Sequence, residues 1–161
     1  MKVITRNGEE VARIEPIMEG KAPNFSLEDQ KGNTITLSEL DKPIVLSIFP
    51  DINTRVCALQ TRHFNEEAAK NPEIEFLSIS NNTSDEQKNW CAAEGVDMEV
   101  LSDETNTFGQ EYGLLMQTGK LARSVYLIKD GEIVYVEVVD EMTDEPNYSL
   151  LFDAIDKIIT K

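Results

Sequence analysis

Cys57 and Cys91 are the residues of this chain best suited to covalent chemistry. Cys57 closes the stretch Phe49-Pro50-Asp51-Ile52-Asn53-Thr54-Arg55-Val56-Cys57, where an apolar run gives way to turn formers and then to a helical pattern. A cysteine in a first helical turn lies near unpaired backbone N–H groups and the positive end of the helix dipole. Both favour thiolate over thiol, and the thiolate is the nucleophile. The expectation is a Cys57 held toward its reactive form at a strand-to-helix switch, where open α/β sheets bind their ligands. Thr54 stands three residues earlier, a neighbour on the same helix face. Its hydroxyl could hold an incoming peroxide and steady charge as an O–O bond breaks, or it could simply cap the helix.

Arg123, in Leu121-Ala122-Arg123-Ser124-Val125-Tyr126, opens an apolar strand. A charge there is ordinarily a solvated strand end. It could instead reach Cys57 and balance negative charge on sulfur and oxygen, and spacing alone does not decide. Arg55 and Arg62 are further cations near the cysteine, in positions that usually face solvent. Cys91 lies in Asn89-Trp90-Cys91-Ala92-Ala93-Glu94-Gly95, late in a helical segment and 34 positions (91 minus 57) after Cys57. The pair is no Cys-x-x-Cys motif. Cys91 is either a small buried core residue or the second half of a redox pair. A disulfide needs Cα atoms within about 7 Å. If both cysteines lie in helices on opposite sides of a site, at least one helix must unravel to form it.

The elements that position these residues follow from pattern. Residues 3–15 alternate around Asn7-Gly8, a type I′ hairpin signal. Residues 25–36 form a second strand-turn-strand unit with Lys31-Gly32-Asn33 at its turn, and Ser38 could cap a short helical turn. Residues 43–49 are a near-continuous apolar run, which suits a central strand covered on both faces. A helix is expected over residues 54–69, with Val56, Leu59 and Phe64 on its apolar side, and a strand over 74–79. Ser84-Asp85-Glu86-Gln87 resembles a capping box for a helix reaching Glu94, with Gly95 as its stop. A short strand over 98–101 and a short helix over 106–112 come next. Two strands joined at Asp130-Gly131 and a closing amphipathic helix over 148–159 complete the chain. Strand-helix-strand units followed by a hairpin predict an α/β fold with a mixed sheet flanked by helices. No linker divides the chain, so residues 1–161 are expected to form a single domain.

Composition narrows the function. The formal net charge is -15, from 15 Lys and Arg against 30 Asp and Glu. Such a surface repels phosphate backbones and anionic lipid, which argues against nucleic acid or membrane as partner. No apolar run reaches about 18 residues and the N-terminus lacks the apolar stretch of a secretory signal, so the cytoplasm is the expected compartment. Two cysteines and the single His63 cannot build a structural zinc site. No phosphate loop or metal-ligand cluster is present either, so neither cofactor nor metal is expected.

Pro50-x-x-x-Thr54-x-x-Cys57 resembles the peroxidatic motif of the peroxiredoxins. Further blocks are similar to their bacterial thiol peroxidase branch, the atypical two-cysteine peroxiredoxins: Gln60-Thr61-Arg62-x-Phe64-Asn65-Glu66, Trp90-Cys91-Ala92-Ala93-Glu94-Gly95, Leu101-Ser102-Asp103, Leu121-Ala122-Arg123 and Thr143-x-Glu145-Pro146-x-Tyr148. The resemblance spans essentially the whole chain. It implies a thioredoxin-like fold with an added N-terminal β-hairpin. It also implies Cys57 as peroxidatic and Cys91 as resolving cysteine, joined in an intrachain disulfide. Thr54 and Arg123 become activating partners, and Pro50 shields the site. Hydrogen peroxide and alkyl hydroperoxides are the implied substrates, thioredoxin the reductant and a homodimer the assembly. Arg55 departs from the pattern, which more often has a small residue or proline there. Two rivals use the same thiols. A dithiol oxidoreductase would normally carry Cys-x-x-Cys, and a peroxide sensor would lack turnover.

Overall fold

Asn7 and Gly8 have φ of 52° and 85°, the left-handed pair that a type I′ turn demands. They fold β1 (Lys2–Arg6) against β2 (Glu9–Ile14) as a separate two-stranded hairpin. The computed structural model describes residues 1–96 and 98–159. After the hairpin come β3 (Ser26–Asp29), β4 (Thr34–Thr36) and a single 3₁₀ turn, Leu37–Glu39. Then follow β5 (Ile44–Ile48), α1 (Arg55–Lys70), β6 (Glu75–Ser80), α2 (Ser84–Glu94) and β7 (Glu99–Ser102). The last elements are α3 (Thr107–Tyr112), β8 (Ser124–Lys129), β9 (Glu132–Val138) and α4 (Tyr148–Ile159).

The main sheet runs β4-β3-β7-β6-β5-β8-β9. β5, β6 and β7 are parallel, as the crossover helices α1 and α2 require, whereas β3, β8 and β9 join antiparallel to their neighbours. β5 is buried throughout. Its side chains alternate between two apolar clusters, Leu46 and Ile48 on one face and Val45 on the other. The first cluster also takes Ile4 and Ala12 of the hairpin with Phe108 and Tyr112 of α3. The second takes Phe64 of α1, Cys91 of α2 and Leu151 and Ile155 of α4. The expected thioredoxin-like mixed sheet flanked by helices is the observed architecture. Among the described residues, no helix is long and apolar enough to cross a membrane.

Three local expectations need correction. Ser38 lies inside the 3₁₀ turn, and Thr36 precedes it. The capping box sits one residue earlier than expected. Thr83 Oγ1 accepts from the Glu86 N–H at 3.1 Å, and Glu86 Oε1 accepts from the Thr83 N–H at 3.0 Å. Gln87 is fully buried and donates to Ser80 Oγ at 2.6 Å, so it is committed elsewhere. Finally, α1 buries Cys57, Gln60, Thr61 and Phe64, while Val56 and Leu59 stay partly exposed.

Glu99 on β7 is half-buried near Glu75 on the adjacent strand β6. Burial first, and then the charge of Glu75, push its carboxyl up from 4.5 to about 7. The folded state therefore holds this proton more tightly than the unfolded chain. The resulting stability is full below about pH 4.5 and lost as pH rises through about 7. Solvent screening keeps the effect small. Glu99→Gln is expected to raise Tm at pH 8 by about 1–2 °C and to flatten its slope from pH 4.5 to 7. An unchanged slope in calorimetry would reject this account.

Candidate active site

β5 and the residues after it set the geometry. β5 ends at Ile48, and Pro50 supplies no N–H to continue the ladder. Asp51 then organises the turn: its Oδ1 accepts from the Asn53 N–H at 3.0 Å and from Asn82 Nδ2 at 3.0 Å. Asn82 Oδ1 in turn accepts from the Ile52 N–H at 2.8 Å, tying the turn to the end of β6. Burial would raise the Asp51 carboxyl. The Asn53 and Asn82 hydrogen bonds and the Lys120 charge outweigh it, so the carboxyl lies below its usual range.

Helix α1 starts at Arg55, and the Ala58 N–H donates to Thr54 O at 3.0 Å. The N–H groups of Arg55, Val56 and Cys57 therefore stand outside the helical ladder. Cys57, third in the helix, is fully buried. Thr54 is the N-cap by position, but its hydroxyl makes no capping bond and donates to Asp51 O at 2.9 Å.

Sheet pairing delivers the other side of the site. β8 runs antiparallel to β5 with Ser124 opposite Ile48. Arg123, just before β8, is thereby brought to the end of β5 where α1 begins. It is 3% exposed. Nη1 donates to Cys57 Sγ at 3.3 Å and to Gln60 Oε1 at 2.9 Å, and Nη2 donates to Met142 O at 2.9 Å. Among the described residues Arg123 has no carboxylate partner, and its buried Nε has no hydrogen-bond partner. Pro50, Thr54 and Arg123 share the wall of a cavity of about 300 Å³ with Arg55, Val56 and Met142.

A Redoxin family model matches residues 18–151. The chain belongs to the Redoxin family. Its relatives in that family include a thiol peroxidase of Listeria innocua, 43% identical over 142 residues that cover 85% of this chain and 86% of the relative. A thiol peroxidase of Bacillus subtilis is 36% identical over 86% of each chain. Among solved structures, a peroxiredoxin-like protein from Aquifex aeolicus superposes with a TM-score of 0.90 at 24% identity, covering 98% of both chains. A thiol peroxidase from Chromobacterium violaceum gives 0.87 at 14% identity, covering 99% of this chain and 98% of that one. These two show the fold. The expected thiol peroxidase branch of the peroxiredoxins is thus the one the sequence relatives occupy, and the chain is a peroxidase of the thiol-dependent type.

Of the five residues singled out from sequence, Pro50, Thr54 and Arg123 meet at the cavity, and Arg123 holds the fully buried Cys57 behind it. Cys91 does not join them at the cavity. It is 5% exposed on α2, which packs on β7, and no disulfide joins the two cysteines. Gln60 went unassigned in the sequence. It is fully buried, its Nε2 donates to Ser47 Oγ of β5 at 2.8 Å, and its Oε1 holds Arg123. Two signals point to it: its place three residues after Cys57, on the same helix face, and its position at the head of the Gln60-Thr61-Arg62 block. Met142, whose carbonyl holds the other guanidinium nitrogen, left no signal of its own.

Proposed function

We propose that this chain reduces hydrogen peroxide and alkyl hydroperoxides in the cytoplasm through a Cys57 sulfenic acid and an intrachain Cys57–Cys91 disulfide, and that thioredoxin recycles it. The observation that carries the proposal is the buried Arg123 guanidinium, 3.3 Å from Cys57 Sγ. A buried cation without a carboxylate is costly unless an anion faces it, and a Cys57 thiolate supplies that anion.

The Cys57 thiolate attacks the terminal peroxide oxygen. An S–O bond forms, the O–O bond breaks, and water or an alcohol leaves after taking up a proton. Arg123 balances the charge that moves from sulfur to the leaving oxygen. The Thr54 hydroxyl, on the cavity wall, exchanges its bond to Asp51 O for one to the peroxide. The Cys91 thiol then displaces hydroxide from the sulfenic acid, which leaves as water, and the disulfide is reset by exchange with a dithiol protein. The thioredoxin reductant and a homodimeric assembly rest on the resemblance to the thiol peroxidases.

The test is steady-state consumption of hydrogen peroxide coupled to a thioredoxin system. Many turnovers per chain are expected. A single oxidation event without turnover would replace the peroxidase with a sensor, and no reaction with peroxide at all would leave the two cysteines a structural role.

A further inference from the structure

This chain carries twice as many acids as bases, 30 against 15. The cavity beside Arg123 inverts that balance. Arg6, Arg55, Lys120 and Arg123 line it, with Asp51 as the one carboxylate among its described wall residues. Asp51 is partly matched by Lys120, whose Nζ lies 3.9 Å from Oδ2. Glu141, next in sequence to a wall residue, is turned onto the hairpin. It accepts from the N–H groups of Asn7 and Gly8 at 2.9 Å each and from Thr5 Oγ1 at 2.9 Å. These bonds leave it little reach toward the cavity.

Arg6 and Arg55 are exposed, and among the described residues neither has an ion pair. They come from different elements, Arg6 from the end of β1 and Arg55 from the first turn of α1. Like charges brought together without counter-ions repel. Lys120 is matched by Asp51 and Arg123 faces Cys57, so the two arginines left without an ion pair mark a place where an anion binds. Pro50, Val56 and Met142 give the same wall an apolar portion. Its volume of about 300 Å³ falls at the small end of ligand sites, enough for a few-carbon molecule and short of a long acyl chain.

We infer that the favoured substrate is a compact organic hydroperoxide bearing a carboxylate a few carbons from the peroxide. This rests on the peroxidase mechanism proposed above. The carboxylate is held by Arg55 and Arg6 at the mouth, the carbon body lies on Val56 and Met142, and the peroxide reaches Arg123 and Cys57. The carboxylate takes no part in the reaction. The O–O bond breaks, sulfur gains the terminal oxygen, and the hydroxy acid leaves.

The experiment compares kcat/KM for 4-hydroperoxy-4-methylpentanoate and its methyl ester, with dithiothreitol as reductant so that no protein has to dock. At low salt the acid is expected to be preferred by about tenfold. Arg55→Gln and Arg6→Gln should each move the acid-to-ester ratio toward one, and high salt should do the same in the parent. A ratio near one in the parent overturns the inference. So does a ratio that neither variant changes. An unchanged ratio, joined in a separate thioredoxin-coupled assay by a raised KM for thioredoxin in Arg55→Gln, also overturns it and assigns the cations to an acidic protein partner. Hydrogen peroxide separates this from the parent mechanism: if it too is not consumed, the peroxidase proposal fails, and the substrate inference with it.

Discussion

Arg123→Met is expected to slow oxidation of Cys57 by hydrogen peroxide by about two to three orders of magnitude, and Cys57→Ser to abolish it. Serine keeps the shape but offers a hydroxyl in place of the thiolate nucleophile. For Arg123 the argument is electrostatic. As sulfur attacks, negative charge passes to the departing oxygen beside Arg123, which is only 3% exposed. A guanidinium already fixed by Gln60 Oε1 and Met142 O, at 2.9 Å each, meets that charge without reorganising. Methionine fills much of the volume and provides no cation. Arg123→Lys restores the charge but not the fork that reaches sulfur, Gln60 and Met142 together, so its rate should fall between parent and methionine. Removing Arg123 strands no buried carboxylate. It does leave the Gln60 and Met142 oxygens without their donor, at a cost of about 1–3 kcal/mol. A melting curve run beside the stopped-flow measurement separates this loss of stability from the loss of rate. A methionine variant that is well folded and reacts within a few-fold of the parent would remove Arg123 from the mechanism.

Elements whose cause is local were legible in the sequence. Asn7-Gly8 and Asp130-Gly131 take the positive φ their turns need, and α4 spans the residues its pattern indicated. The long apolar run became the central strand β5, covered on both faces. What escaped depends on how distant segments meet. The apolar pattern puts Val56, Leu59 and Phe64 on the inward face of α1, and Phe64 is buried there. Gln60 and Thr61 take the place of Val56 and Leu59, since Ser47 accepts from Gln60 and the Cys57 carbonyl accepts from Thr61 at 2.9 Å. Polar residues whose partners all lie within the core can be buried at little cost. Sequence alone leaves Arg123 between solvent and site, because its 66-residue separation from Cys57 carries no geometry. The pairing of Ser124 with Ile48 supplies it, and register across a sheet is not written in one strand alone.

Cys91→Ser is expected to consume about one peroxide per chain and then stop, and in the parent the same oxidation should unravel α2. In the reduced protein Cys57 lies on α1, which packs on β6 and β5, and Cys91 on α2, which packs on β7. No disulfide joins them, and forming one needs Cα atoms within roughly 7 Å. α2 is well anchored when reduced. Its Thr83–Glu86 capping box closes one end, Gly95 at φ 69° the other, and Glu94 pairs with Arg62 of α1. Detached from those contacts, an 11-residue helix has little stability of its own. Drawing Cys91 toward Cys57 therefore exchanges a packed helix for a covalent bond. Amide protection across Ser84–Glu94 should fall by about a hundredfold or more on oxidation of the parent. It should not change when Cys91→Ser is treated with one equivalent of peroxide, because its sulfenic acid has no thiol to pull the helix. Equal protection in both redox states of the parent would mean that the cysteines meet without unravelling α2, or do not meet at all. Mass analysis for the intrachain disulfide tells these two apart.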